Sequence, residues 1–427
     1  MTADRTYYVT FVNARDQESN PSPASNTVDP NSHKINLTAI PLGATGVTKR
    51  RIYALATIGS TTDTWYVGEI ENNTTTTFTD DVVDTDLIIG DVLETDNDEP
   101  AKASYILEHK NRLFTANGSL LYFSKLDKPE AFPTDNYILC NDTGDNITGL
   151  QLLNDWIVII KERSVLMVNC DGEPTAWTLK VINDQRGCPY PETIQLIDNH
   201  IVFLGYDDLY EIAPTSVKDE RSVLPTGKRI KPLLVGDTAP TSVDYDGRYW
   251  LRMGTTIIVY NYRRDSFTKY VFPDVPIAFH ATPDYKLYFS TINGIMEYGV
   301  GTSFNGTLIQ SFAVGRDIDM GRRSQQKKIK KVYAYYRKES SGKTMYIMFG
   351  TDQLGYTQPI ELASNDDGYM EWGTGLWGQL WGGSDSPGKA SYSISQKDNY
   401  FRVKVGSNTN PFEFYGYGIV YKLKPIK

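Results

Sequence analysis

The side chains that could move protons or hold metals are scattered along this chain. Four histidines, His33, His109, His200 and His280, stand at no metal-ligating spacing and form no HExxH pair. His200 and His280 fall inside segments that alternate like strands, which makes them packed or rim side chains. Cys140, Cys170 and Cys188 are an odd set without CxxC or Cys/His spacing, so reduced thiols made in a reducing cytoplasm are expected. No GxSxG elbow is present, and Asn117-Gly118 and Asn293-Gly294 read as hairpin turns rather than phosphate loops. Glycan-cleaving propellers need an acid/base carboxylate beside a nucleophile. Here nothing marks one carboxylate pair among many, and the sialidase Asp-box is missing. Asp80, Asp81, Asp84 and Asp86 could offer oxygens to calcium, but the EF-hand order and its distal Glu are lacking. They read as a solvated acidic face. The expectation is a protein that is not an enzyme and carries no cofactor or metal.

Residues that could bind a partner are better marked. A basic run opens with Arg322 and Arg323 and continues through Lys327, Lys328, Lys330 and Lys331 to Arg337-Lys338. It reads equally as a contact for phosphate or an acidic partner and as a solvated strand edge guarded by lysines. Between residues 371 and 383, Trp372, Trp377 and Trp381 alternate with glycines. Such tryptophans can stack on sugars or bases, cover the end of a sandwich, or dock into another protein, and protein contact is the preferred reading.

These residues must be positioned by strands. Tyr, Thr, Val and Ile abound, and 29 tyrosines lift the aromatic content to 12%. No long run has helical periodicity, so the chain is read as all-β. Residues 1–100 alternate in short strands, such as Tyr7–Val12 and Lys49–Leu55, and read as a fibronectin-like sandwich. Between 105 and 300 a pattern recurs five times, in which a polar turn pair launches an apolar-alternating strand and a second turn launches another. The first turns are Lys110-Asn111, Asn154-Asp155, Asp198-Asn199, Asp246-Gly247 and Asp284-Tyr285, spaced by 44, 44, 48 and 38 residues. Repeated hairpins at such a period mark the blades of a β-propeller. Each pair is taken as the inner half of a four-stranded blade, which gives about five blades over residues 101–312. Residues 313–427 read as a C-terminal β-sandwich.

Charge narrows the partners. The chain carries a net −9, and residues 1–100 hold 16 acidic against 6 basic side chains. General affinity for nucleic acid through phosphate neutralisation is therefore not expected, although DNA could slide past without sticking. No basic n-region precedes an apolar stretch at the start, and no 18-residue apolar run offers a membrane span.

The stretch Tyr8–Val12, Glu18–Pro23 and Val47–Tyr53 resembles a fibronectin-type module of bacteriophage tail and connector proteins. Asn111–Phe114, Leu121–Ser124, Pro129–Pro133, Ile147–Leu150, Trp156–Ile159 and Lys161–Val165 resemble the propeller of short-tailed phage hubs. These include the packaged-DNA stabilisation proteins. The resemblance covers most of residues 7–300. It implies a virion structural protein in a ring, commonly six-fold, beneath the portal and its adaptor. Such a nozzle-like hub would carry tail spikes or fibres, retain packaged DNA and conduct it on ejection without sequence-specific contacts. It would be assembled in the host bacterial cytoplasm and reside in the virion tail. The chain departs from the pattern by starting directly at the fibronectin-like module and by its Trp-rich segment. The alternative is a carbohydrate-binding or glycan-cleaving propeller for host attachment, and a cellular propeller adaptor is a third reading.

Overall fold

The computed structural model describes the chain apart from residues 141–143, 215–220, 238, 302, 305, 323, 338–344, 352–354, 363–386, 408–411 and 426–427. The protein is all-β. It forms two compact units, Met1–Ile295 and Met296–Lys427.

The first unit begins with a small sandwich. Strands β1 (Arg5–Asn13), β3 (Val47–Ile58) and β4 (Thr61–Ile70) form one sheet in the order β1-β3-β4, and β2 (Ile35–Leu37) pairs with β5 (Phe78–Asp80). Period-two alternation sends Tyr7, Val9, Ile52, Ala54, Trp65 and Val67 into the core. The acidic group that reads as a solvated face is instead partly internal. Asp80 and Arg5 are both fully buried and meet at 2.5 Å, while Arg5 also holds Asp84 at 2.8 Å. Tyr7 donates to Asp80 at 2.6 Å, and Asp81 pairs with Lys34 at 2.8 Å. These carboxylates are partnered because an unpaired charge in a dry core is far costlier than a paired one.

Five antiparallel sheets follow, one for each recurrence. Four have four strands and cover 105–139, 147–183, 195–225 and 241–271, and the fifth has three, Ala278–Ala281, Leu287–Thr291 and Gly294–Glu297. The recurring hairpin is the central pair of each blade, with a strand added before it and, in the first four, another after it. Thr178–Asn183 supplies such an outer strand. The turn pairs recur because the backbone demands them. Lys110, Asn111, Asn154, Asp198, Asn199, Asp246, Gly247 and Tyr285 all have positive φ, between 47° and 65°. Tight hairpins need left-handed residues to match strand twist, which favours Asn, Asp and Gly.

Blades are held face to face by burial. Phe114, Leu121 and Phe123 of the first pack with Ile157, Ile159 and Leu166 of the second. Val158 and Met167 meet Ile201 and Phe203 in the next interface, and Val202 and Leu209 meet Leu251 and Ile258 in the one after. At about 1.5–3 kcal/mol per buried large side chain, these interfaces outweigh any surface ion pair. The first strands of the first and second, third and fourth, and fourth and fifth blades lie against each other, as the innermost strands of a propeller do. Cys140, Cys170 and Cys188 are free and buried. Burial pushes the Cys170 thiol up to about 12 and Cys188 to about 11, so neither is a reactive thiolate.

The second unit is a β-sandwich. One sheet joins Ser311–Val314, Arg402–Ser407, Met345–Thr351, Gly355–Tyr356 and Ile360–Leu362, and the other joins Pro387–Ser393, Lys327–Arg337, Lys397–Asp398 and Phe414–Leu423. Ile329, Val332, Ala334 and Tyr336 alternate inward and meet Ile347, Phe349, Val403 and Val405.

Candidate functional site

The residues marked by the sequence for partner contact divide. Trp372, Trp377, Trp381 and Arg323 lie outside the described residues. Arg322 is exposed, and its guanidinium donates to Gln325 at 3.3 Å. Lys327 does not serve as a surface contact. It is fully buried, and its ammonium donates to the carbonyls of Arg322 and of Asn399, the latter at 3.0 Å. Burial lowers its pKa. Nor is the basic strand an edge, since Lys327–Arg337 is paired on both sides. Lys328 and Lys331 stay half-buried at its surface. Lys331 and Lys389 both lie over the Tyr333 ring, at 5.3 and 5.0 Å.

A more regular surface lies on the blades. The last strand of each four-stranded blade presents large apolar side chains to solvent. They are Tyr137 and Leu139, Leu179 and Val181, Leu224, and Val271, with Leu139 56%, Val181 53% and Val271 64% exposed. These strands end their sheets, so each also offers one row of backbone hydrogen-bonding groups. Apolar side chains repeated on successive sheet edges are a docking surface in character.

The histidines are structural or at the rim. Burial lowers the pKa of His109, whose Nε2 lies 3.2 Å from the Asp155 carbonyl. His200 is half-buried, with Nδ1 2.5 Å from Glu211 Oε1 and its ring 5.4 Å from that of Tyr262. Beside it, Asp198 accepts from the Tyr262 hydroxyl and from Arg263, the latter at 2.8 Å. Those two donors hold the Asp198 carboxyl below its ordinary value.

Next to this cluster, a groove of about 710 Å³ runs between the fourth and fifth blades. Its walls come from three connections: the Asp246-Gly247 turn, the segment Asn261–Arg264 and the turn that ends at Tyr285. Asp244 and Arg264 also line it. Asp244 Oδ1 is buried and has no hydrogen-bond partner. Burial first, then the charges of Asp198 and Asp246, raise its carboxyl above the ordinary value. Arg248 is tied to Asp246 at 3.2 Å and Arg263 to Asp198. The Arg264 backbone N–H donates to Asn261 Oδ1 at 3.2 Å, which caps this turn. The Tyr285 ring is 83% exposed, and its carbonyl accepts from the Tyr245 hydroxyl at 3.1 Å.

Sequence reasoning named Asp198, Asp246 and Tyr285 only as turn formers, and it passed over Asp244, Arg264 and Glu211. One signal was present. First turns of successive blades fall at the same end of the fold, so their side chains converge whenever blades pack side by side.

No family model matches this chain, and no curated protein matches it. Among solved structures, the extracellular domain of BT4673, a putative one-component system from B. thetaiotaomicron, is 10% identical, with 64% of this chain and 33% of that one covered and a TM-score of 0.34. This chain thus spans a third of that domain. AztD from Citrobacter koseri is 13% identical, covering 70% of this chain and 78% of its own, at a TM-score of 0.32. A luciferin-regenerating enzyme is 10% identical, covering 60% and 83%, at 0.31. Likenesses this distant carry no weight for function.

Proposed function

We propose that this chain is a non-enzymatic structural subunit of a short-tailed phage tail, a hub or nozzle component that assembles into a ring. In that role it extends the head-to-tail channel, retains packaged DNA and conducts it on ejection. Its neighbours would be copies of itself, commonly in six-fold array, the portal and adaptor, and tail spikes or fibres. The observation that carries this reading is the row of exposed apolar side chains on the last strands of four successive blades. An isolated protein gains nothing from such edges, whereas ring contacts bury them. The order of modules supports the same reading, because a fibronectin-like sandwich followed by hairpin blades is the pattern that resembles phage hubs. Charge supports it as well. A net −9 avoids the counterion-release binding that would brake DNA in a channel.

Native mass measurement tests this directly, on the chain alone and with portal and adaptor. The reading expects closed rings. A species that stays strictly monomeric with both neighbours present would overturn it.

A further inference from the structure

We propose that the groove between the fourth and fifth blades is a binding site for a neutral oligosaccharide, a role independent of ring assembly. The lining selects the chemistry by exclusion. Asp198, Asp244 and Asp246 disfavour a phosphate or another polyanion, while Arg248, Arg263 and Arg264 disfavour a cation. Two of those arginines are already neutralised, Arg248 by Asp246 and Arg263 by Asp198. What remains is one buried acceptor and one donor. Asp244 Oδ1 meets no hydrogen-bond donor among the described residues. The Arg264 guanidinium has no acceptor among them.

A buried carboxylate oxygen without a donor is costly and calls for an explanation. Sugar hydroxyls supply it, since each both donates and accepts and neighbouring hydroxyls can satisfy Asp244 and Arg264 together. The Tyr285 ring adds an exposed apolar face against which the C–H side of a pyranose can stack. At about 710 Å³ the groove is far larger than a single zwitterionic amino acid needs and suits several sugar units. Its three walls are a hairpin turn, a capped turn and a second hairpin turn, each anchored to packed strands, so the site is preformed.

The test is calorimetric titration of the full chain with neutral oligosaccharides of glucose, xylose, galactose, mannose and N-acetylglucosamine. Sulphated dextran serves as the anionic counterpart. At least one neutral sugar is expected to bind at roughly millimolar Kd or tighter. Asp244→Asn and Tyr285→Ala should each weaken that binding about tenfold or more. Asp244→Asn should at the same time melt higher than the parent at neutral pH, because it removes a desolvated charge. That combination separates a ligand role from a structural one. Ring formation should be unchanged in both variants, so this proposal and the assembly reading fail separately. Absence of binding by every neutral sugar, binding by sulphated dextran alone, or binding that survives both substitutions would overturn the proposal.

Discussion

At the scale of single residues, two aspartates in this chain respond to acid with opposite sign. Asp84 loses some water on folding, but hydrogen bonds from Arg5 and from Thr2 and Ala3 more than compensate and hold its carboxyl well below the ordinary value of 3.8. Its contribution is therefore complete above 3.8 and is lost as pH falls toward the folded value, where the native state must also take up a proton. Asp84→Ala should cost about 1–3 kcal/mol at neutral pH, and the gap from the parent should narrow steadily below 3.8 in urea unfolding series. Asp244 works the other way. Its raised carboxyl binds a proton more readily in the folded chain than in the unfolded one. It therefore costs stability at neutral pH and ceases to do so in acid. A residue retained at such a cost is the usual mark of a functional position rather than a structural one.

At the scale of elements, the packing of turns against strands sets narrow tolerances. A Cβ on Gly187 would sit 2.3 Å from the Lys161 carbonyl oxygen and 2.5 Å from the Arg163 nitrogen. Both are backbone atoms of the second blade, so neither can swing aside. Gly187→Ala is expected to lose about 1–3 kcal/mol, read as a lower melting midpoint. The outer strands should behave differently. Val181→Lys with Val271→Lys replaces exposed side chains, so monomer stability should stay within about 0.5 kcal/mol while ring formation is lost. Unfolding curves and particle mass on the same samples check both halves.

The blades were legible in the sequence because their hairpins need left-handed turn residues, and Asn111, Asn154, Asn199 and Gly247 announce them. Which two strands of each blade recur was not legible. The added strands, such as Thr178–Asn183 and Ser266–Val271, are partly exposed and lack a strict apolar code. Lys327 misled for a related reason. A lysine in a basic run looks solvated, and only the third dimension reveals carbonyls waiting to receive it. The groove was hidden more deeply, since Asp244, Arg264 and Tyr285 come together through the packing of blades and share no motif.

At the scale of the whole molecule, the account describes a rigid all-β body with acidic bias and unsatisfied apolar edges. Stacked blades with dry interfaces resist deformation, and repeated edges invite neighbours. A channel wall needs the first property, and a ring needs the second. The mass of the particle formed by the purified chain, alone and with portal and adaptor, tests this most directly. The account predicts a closed ring whose mass is a whole multiple of 48.1 kDa, six-fold by the family resemblance. A protein that remains a single 48.1 kDa chain in the presence of both neighbours would contradict it.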